Sequence, residues 1–151
     1  MSNQAAQILT QIMLTVFRTN GSLLEAGDKL VKPLQLTSAR WQVIGALSIS
    51  GLPLTVPQIA IAMGLTRQGV QKQINALMSV GLLKQIQNPS HKRSTLYSVS
   101  EQGVKVYAEV NILLARLVNL LSEGLPIDDL QVTLNTLEII HRRLQSDFEK
   151  K

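Results

Sequence analysis

Residues 54–83 read LTVPQIAIAMGLTRQGVQKQINALMSVGLL, and the spacing inside this stretch decides the fold. Val56 to Met63 is a short helical segment that turns Ile59, Ala60 and Met63 inward. Gly64 then supplies a turn, because glycine adopts the left-handed backbone conformation without steric cost. Thr66 is placed to cap a second helix with Val70, Ile74 and Leu77 on its inward stripe, closed by Gly81. A small residue at Ala60 lets the second helix approach closely, and Val70 fills the space between the two. This is the spacing of a helix-turn-helix.

Beyond Gly81 the period of the sequence changes. Leu82 to Gln87 and Thr95 to Val99 alternate roughly and carry β-branched and aromatic residues, as short strands do. The polar, proline-containing run Asn88-Pro89-Ser90-His91-Lys92-Arg93-Ser94 between them is a loop. A helix-turn-helix followed directly by a basic-tipped hairpin is a winged helix. Upstream, Leu36 to Trp41 combines a cap with the start of a helix that places Trp41, Ile44 and Leu47 on one face and stops near Gly51-Leu52-Pro53. The chain start, Ala5 to Lys32, has helical spacing at Leu9, Ile12, Val16, Leu23 and Leu30, with Asn20-Gly21 as an expected kink or break. Downstream, Ser100-Glu101-Gln102-Gly103 opens a long helix to about Ser122, and Gly124-Leu125-Pro126 breaks it. The last helix spaces Ile127, Leu130, Leu134, Leu137, His141, Leu144 and Phe148 alternately three and four apart, with Asp128 and Asp129 in its first turn and Arg142, Arg143, Lys150 and Lys151 near its end, matching the helix dipole. Such a seam either packs inside the chain or pairs two chains. One small domain cannot easily cover two long amphipathic ends, which favours dimerisation. The expected fold is mainly α with a small antiparallel β wing: a winged helix-turn-helix at 35–103, flanked by helical dimerisation regions at 1–34 and 104–151.

Composition narrows the function classes. The chain has 151 residues, enough for one domain with its own core, and no cysteine, which excludes disulfides, thiolate metal sites and thiol redox sensing. Charged residues are only 17% of the chain, so some apolar surface is expected to be hidden in a partner. Five aromatic residues are too few for a single-strand stacking platform. The start carries no basic, cleavable leader and no stretch long enough to span a membrane, so a cytoplasmic protein without membrane contact is expected. Net charge is +5, and residues 66–105, with six basic groups against Glu101, alone account for +5. A block of charge is often just a solvated face; a helix-turn-helix and hairpin built from it point instead to a polyanion.

The runs LTSARWQVIGAL, LTVPQIAIAMGLTRQGVQKQINALMSVGLL and NPSHKRSTLYSVSEQG together resemble the multiple-antibiotic-resistance regulator (MarR) family of bacterial transcription factors. The resemblance spans essentially the whole chain. It implies a homodimer with interlocked first and last helices, a recognition helix at about 66–80 in the major groove, and a wing at about 82–99 reaching the minor groove. It also implies a transcriptional repressor, released from DNA by a small and often aromatic molecule. The chain departs from the family pattern in the wing. His91 stands where an acidic residue usually pairs with the wing arginine, and Asn88 replaces the usual Asp. A more basic and looser wing is therefore expected.

Residue roles follow from position. Thr66, as cap, leaves helix N–H groups facing a phosphate. Gln68 and Gln71 carry the amide geometry that reads adenine, Arg67 suits guanine or phosphate, and Lys72 suits phosphate. Gln73 is the weakest candidate, and the plain alternative for each glutamine is a solvated surface amide. Arg93 matches the family's minor-groove arginine, and a narrow A·T-rich groove concentrates the negative potential a guanidinium fits. Lys92 suits phosphate; the plain alternative for both is a pair of mobile surface cations. Gly69, in the first turn of the recognition helix, permits close packing against the wing or a neighbouring helix, or close approach of DNA. His141 on the seam reads as an interface histidine. No catalytic residue, metal site or cofactor site is expected: there is no His pair at metal spacing, no phosphate-cradling glycine loop and no nucleophile constellation. The alternative to a double-stranded, pseudo-palindromic DNA target is a winged-helix adaptor working through protein contacts, for which a loosened wing leaves room.

Overall fold

The computed structural model describes the backbone of residues 3–148 and side chains as far as residue 146. Its elements are α1 (Gln4–Val31), a 3-10 turn (Lys32–Leu34), α2 (Ser38–Ser50), α3 (Val56–Met63), α4 (Arg67–Ser79), β1 (Leu83–Ile86), β2 (Leu96–Val99), α5 (Glu101–Ser122) and α6 (Ile127–Phe148). The β wing is one antiparallel pair in which Leu83 faces Val99 and Ile86 faces Leu96. Leu54 adds a single bridge to Tyr97 on the other side of β2, exchanging both backbone hydrogen bonds at 3.0 and 2.9 Å. This third partner, one residue long, is too short to leave a periodic signal in the sequence. Among the described residues no single helix is long and apolar enough to cross a membrane.

Two compact units divide the chain, residues 1–114 and 115–151. In the first, α2, α3 and α4 close on a core whose fully buried members include Ile44, Ile59, Val70, Ile74 and Leu77. The expected inward stripe of α4 is thus the observed one. The helix-turn-helix corner is set by Gly64 at φ 63°, with Leu65 N–H donating to Ala60 O at 2.9 Å across it. That is a left-handed helix end, which glycine adopts freely. Thr55 and Gln58 form a capping box at the start of α3, a T-x-x-Q signature legible in the sequence. Ser38 joins α1 to α2: its Oγ donates to Leu24 O at 2.7 Å and its N–H donates to Asp28 Oδ1 at 2.6 Å. Gly27 allows this approach, because a Cβ there would collide with Ser38 Oγ.

The expected interruption of α1 at Asn20-Gly21 is absent, and the helix runs unbroken for 28 residues. A single interior glycine costs about 1 kcal/mol, which a long helix absorbs. Asn3 caps this one, and Lys29 bonds Glu25 at 2.7 Å one turn apart, holding the Glu25 carboxyl below its ordinary range. Only Gly27 and Val31 of α1 are buried, and Phe17 is 71% exposed. In the second unit, α6 buries none of its described side chains: Ile127 is 82% exposed and Leu134 53%. His141 is exposed too. The apolar seam read from the sequence is therefore solvent-facing in the single chain. Lys150 and Lys151, and the side chain of Phe148, lie outside the described residues.

Candidate nucleic-acid interface

The recognition helix presents its start to solvent. Thr66 Oγ1 accepts from Gly69 N–H at 3.0 Å, satisfying one of the donors orphaned at a helix start. Arg67 and Gln68 N–H make no internal bond, and both residues are exposed. With about 100° per residue, Gln68, Lys72 and Asn75 fall opposite the buried Val70–Ile74–Leu77 stripe. Gln71 lies at the edge of this arc and is half-buried; its Nε2 donates to Asn75 Oδ1 at 2.9 Å. That bond fixes the amide while leaving Oε1 and one N–H of Gln71 free, which is the pair needed to read an adenine edge. Asn75 was not among the expected site residues, although Gln and Asn four apart on a helix are a legible pair. Gln73 sits half-buried on the opposite flank, next to the inward stripe.

Gly69 packs against neither the wing nor a neighbouring helix. The only atom within 4 Å of a Cβ placed there is Thr66 Oγ1, at 2.9 Å, so its outer side is open. Close packing, one of the two readings the sequence permitted, is excluded.

Lys92 and Arg93 are exposed at the wing tip. Arg93 also lines a hollow of about 300 Å³ with Val56, Pro57, Gln71, Ser94, Thr95 and Tyr97. The root of α4 and the wing therefore meet at one surface, and Gln71 and Arg93, distant in sequence, share it. His91 makes no ion pair there; among the described residues the one ion pair is Lys29–Glu25.

The wing loop, expected to be looser for want of an acidic residue, carries hydrogen bonds of its own. Asn88 closes the loop from both ends: Oδ1 accepts from Ser90 N–H at 3.1 Å, and Nδ2 donates to Ser94 O at 2.9 Å. Backbone bonds from His91 N–H to Asn88 O (3.3 Å) and Ser94 N–H to His91 O (3.0 Å) complete it. An Asp accepts but cannot donate when ionised, so the bond to Ser94 O needs the amide. Replacing Asn88 with Ala is expected to strip hydrogen-exchange protection from Ser90 N–H, which donates to its side chain. Stability should fall by about 1–2 kcal/mol at most, the net of two hydrogen bonds. Unchanged protection in the variant would show that the loop does not depend on this amide.

Comparison with known proteins agrees with this geometry. The MarR family profile matches residues 34–94, the segment from the start of the winged helix to the wing tip. An uncharacterized protein of Mycobacterium tuberculosis is 33% identical over 129 residues, spanning 85% of this chain and 89% of its own. Among solved structures, CouR from Rhodococcus jostii RHA1 bound to p-coumaroyl-CoA superposes with a TM-score of 0.76 at 22% identity, covering 85% of this chain and 90% of that one. A mutant MarR from E. coli complexed with operator DNA gives 0.76 at 18% identity, covering 92% and 99%. With the helix-turn-helix corner at Gly64, the paired wing strands, a profile match running from the winged helix to the wing tip and the 33% identical relative, the chain belongs to the MarR family of winged-helix regulators.

Proposed function

We propose that this protein is a non-enzymatic, DNA-binding transcription regulator acting as a homodimer on a pseudo-palindromic duplex operator, and that it represses by occupying it. One observation carries the reading: the free N–H groups and outer arc of α4 and the cationic wing tip form a single exposed surface, joined where Gln71 and Arg93 line one hollow. In this arrangement Thr66, Arg67, Gln68, Gln71 and Lys72 enter the major groove. Lys92 holds a phosphate and Arg93 enters the adjacent minor groove. Gln73, on the flank nearest the core, contributes least. The dimer is supported by the exposed apolar stripes of α1 and α6, so residues 1–34 and 104–151 are the proposed dimerisation region. Two recognition helices then address half-sites about 10 bp apart. Release by a small molecule is part of the proposal, since the family includes a member solved with p-coumaroyl-CoA.

Quantitative gel shift of the full chain against its own promoter region and against random duplex tests the reading. A site resistant to random competitor is expected; binding that random duplex competes away equally would overturn it. The alternative, an adaptor acting only through protein contacts, is the outcome in which no site resists random competitor. Gln71→Ala is expected to relax preference at one base pair of each half-site, by about 1–3 kcal/mol of discrimination. Selection from a randomised operator library measures it. A base preference identical to that of the unaltered protein would remove Gln71 from the readout.

A further inference from the structure

One side-chain bond ties two turns of the recognition helix together. Gln71 Nε2 donates to Asn75 Oδ1 at 2.9 Å, four residues further along α4. The two amides differ in setting. Gln71 is half-buried and borders the hollow it shares with Arg93 and Tyr97, whereas Asn75 is exposed. The oxygen and nitrogen ends of a glutamine amide have nearly the same shape and opposite hydrogen-bonding character. Turned one way, the oxygen meets the 6-amino group of adenine and an N–H meets its N7. Turned over, the N–H meets the 6-oxo group of guanine instead. An unrestrained glutamine samples both. In this chain the nitrogen end of Gln71 is committed to Asn75, and the oxygen is the end turned away from it.

We propose that Asn75 is a positioning residue: by holding Nε2 it fixes which end of the Gln71 amide meets the base, and so makes Gln71 select adenine over guanine without touching that base itself. The inference deepens the proposed function and rests on it. Holding a long side chain in place before the DNA arrives also removes part of the ordering cost of binding. Turning Gln71 over breaks the bond unless the Asn75 amide turns over as well. An ionised aspartate at position 75 accepts but cannot donate, so it keeps the observed pairing and forbids the reversed one. Asn75→Ala and Asn75→Asp therefore have opposite consequences. The first frees the Gln71 amide; the second keeps it oriented while bringing a negative charge to the DNA face.

The test uses the full chain and its selected operator, with Gln71→Ala first identifying the base pair that Gln71 reads. At that pair, Asn75→Ala is expected to lower the preference for adenine over guanine by about threefold to tenfold. In a Gln71→Ala background the same change should alter the preference no further. Asn75→Asp should keep the preference within about twofold of the unaltered protein while weakening binding to every duplex. In the free protein, the side-chain amide resonances of Gln71 should move toward those of a solvated glutamine in Asn75→Ala and stay shifted in Asn75→Asp. Three results would overturn the proposal. Asn75→Ala could lower thermal stability or general affinity with the Gln71 preference intact, which is a merely structural role. It could relax a different base pair, and still do so without Gln71, which makes Asn75 a reader in its own right. Asn75→Asp could lose the preference as fully as Asn75→Ala. A Gln71→Ala variant with the base preference of the unaltered protein would instead show that the proposed readout has failed, and the positioning role with it.

Discussion

Replacing Lys92 and Arg93 together by Ala is expected to cut duplex affinity for every sequence and to flatten its salt dependence. Each cation that neutralises a phosphate releases about 0.9 counterion from B-DNA. With two cations from each protomer of a dimer, the slope of log affinity against log salt should fall in magnitude by about 3–4. The loss is largest at low salt, where screening is weakest, and shrinks as salt rises. Arg93 should account for a further change that Lys92 does not: weaker preference for A·T pairs beside each half-site, because a narrow groove favours a guanidinium. Fluorescence anisotropy with operator and random duplexes at several salt concentrations separates the two effects. An unchanged slope in the double variant would remove the wing from the interface. Both side chains are exposed, so the variant should fold as the parent does.

Gly103→Ala is expected to destabilise the fold strongly, although it adds only a methyl group. Gly103 is where α5 crosses the base of the wing, and a Cβ there would run into Leu82 O and lie 2.6 Å from Val99 Cγ1. Neither neighbour is free to yield. Leu82 O already accepts from Ser100 N–H at 3.0 Å, and Ser100 Oγ ties Gly81 O (2.6 Å) to Gly103 N–H (3.0 Å). Admitting a methyl group means moving the helix off the strand, which puts the cost near about 3 kcal/mol, the upper end for overpacking. At about 2–4 °C per kcal/mol for a chain of this size, Tm should drop by roughly 6–12 °C at fixed protomer concentration. Gly21→Ala is the matched control with opposite sign. Gly21 is helical with nothing within 4 Å of an added Cβ, so the change should stabilise by about 0.5–1 kcal/mol. Thermal unfolding of both variants checks the pair; equal behaviour would refute the close-approach account of Gly103.

Much of this molecule is legible in its sequence because the deciding forces are local. Gly64 and Thr66 set the helix-turn-helix corner through backbone conformation and a cap three residues away, and the α4 stripe follows from helical period. The wing strands are short but bracketed by Gly81 and a polar loop, which gives their ends. The charge that marks the proposed DNA face is countable directly: six basic groups against one acidic in residues 66–105.

Other features depended on groups that meet only after folding. Gln71 and Arg93 share a hollow through the docking of the wing on the helix, which no spacing encodes. Leu54 joins β2 by a single bridge, and Ser98 is left without a partner by the packing around β2. Asn88 ties the wing loop at both ends with one donor and one acceptor, a pairing that only the folded loop brings together. Asn20-Gly21 in α1 was expected to kink or break the helix, yet the helix is continuous there, since a local cost of about 1 kcal/mol is small against a long, capped helix. Sequence alone thus determined the elements, their corners and the location of the basic block, since these rest on neighbours within a few residues. Tertiary structure decided which side chains share a surface, which glycines admit no side chain and which polar groups go unpaired, since those depend on contacts between elements that only the packed chain brings together.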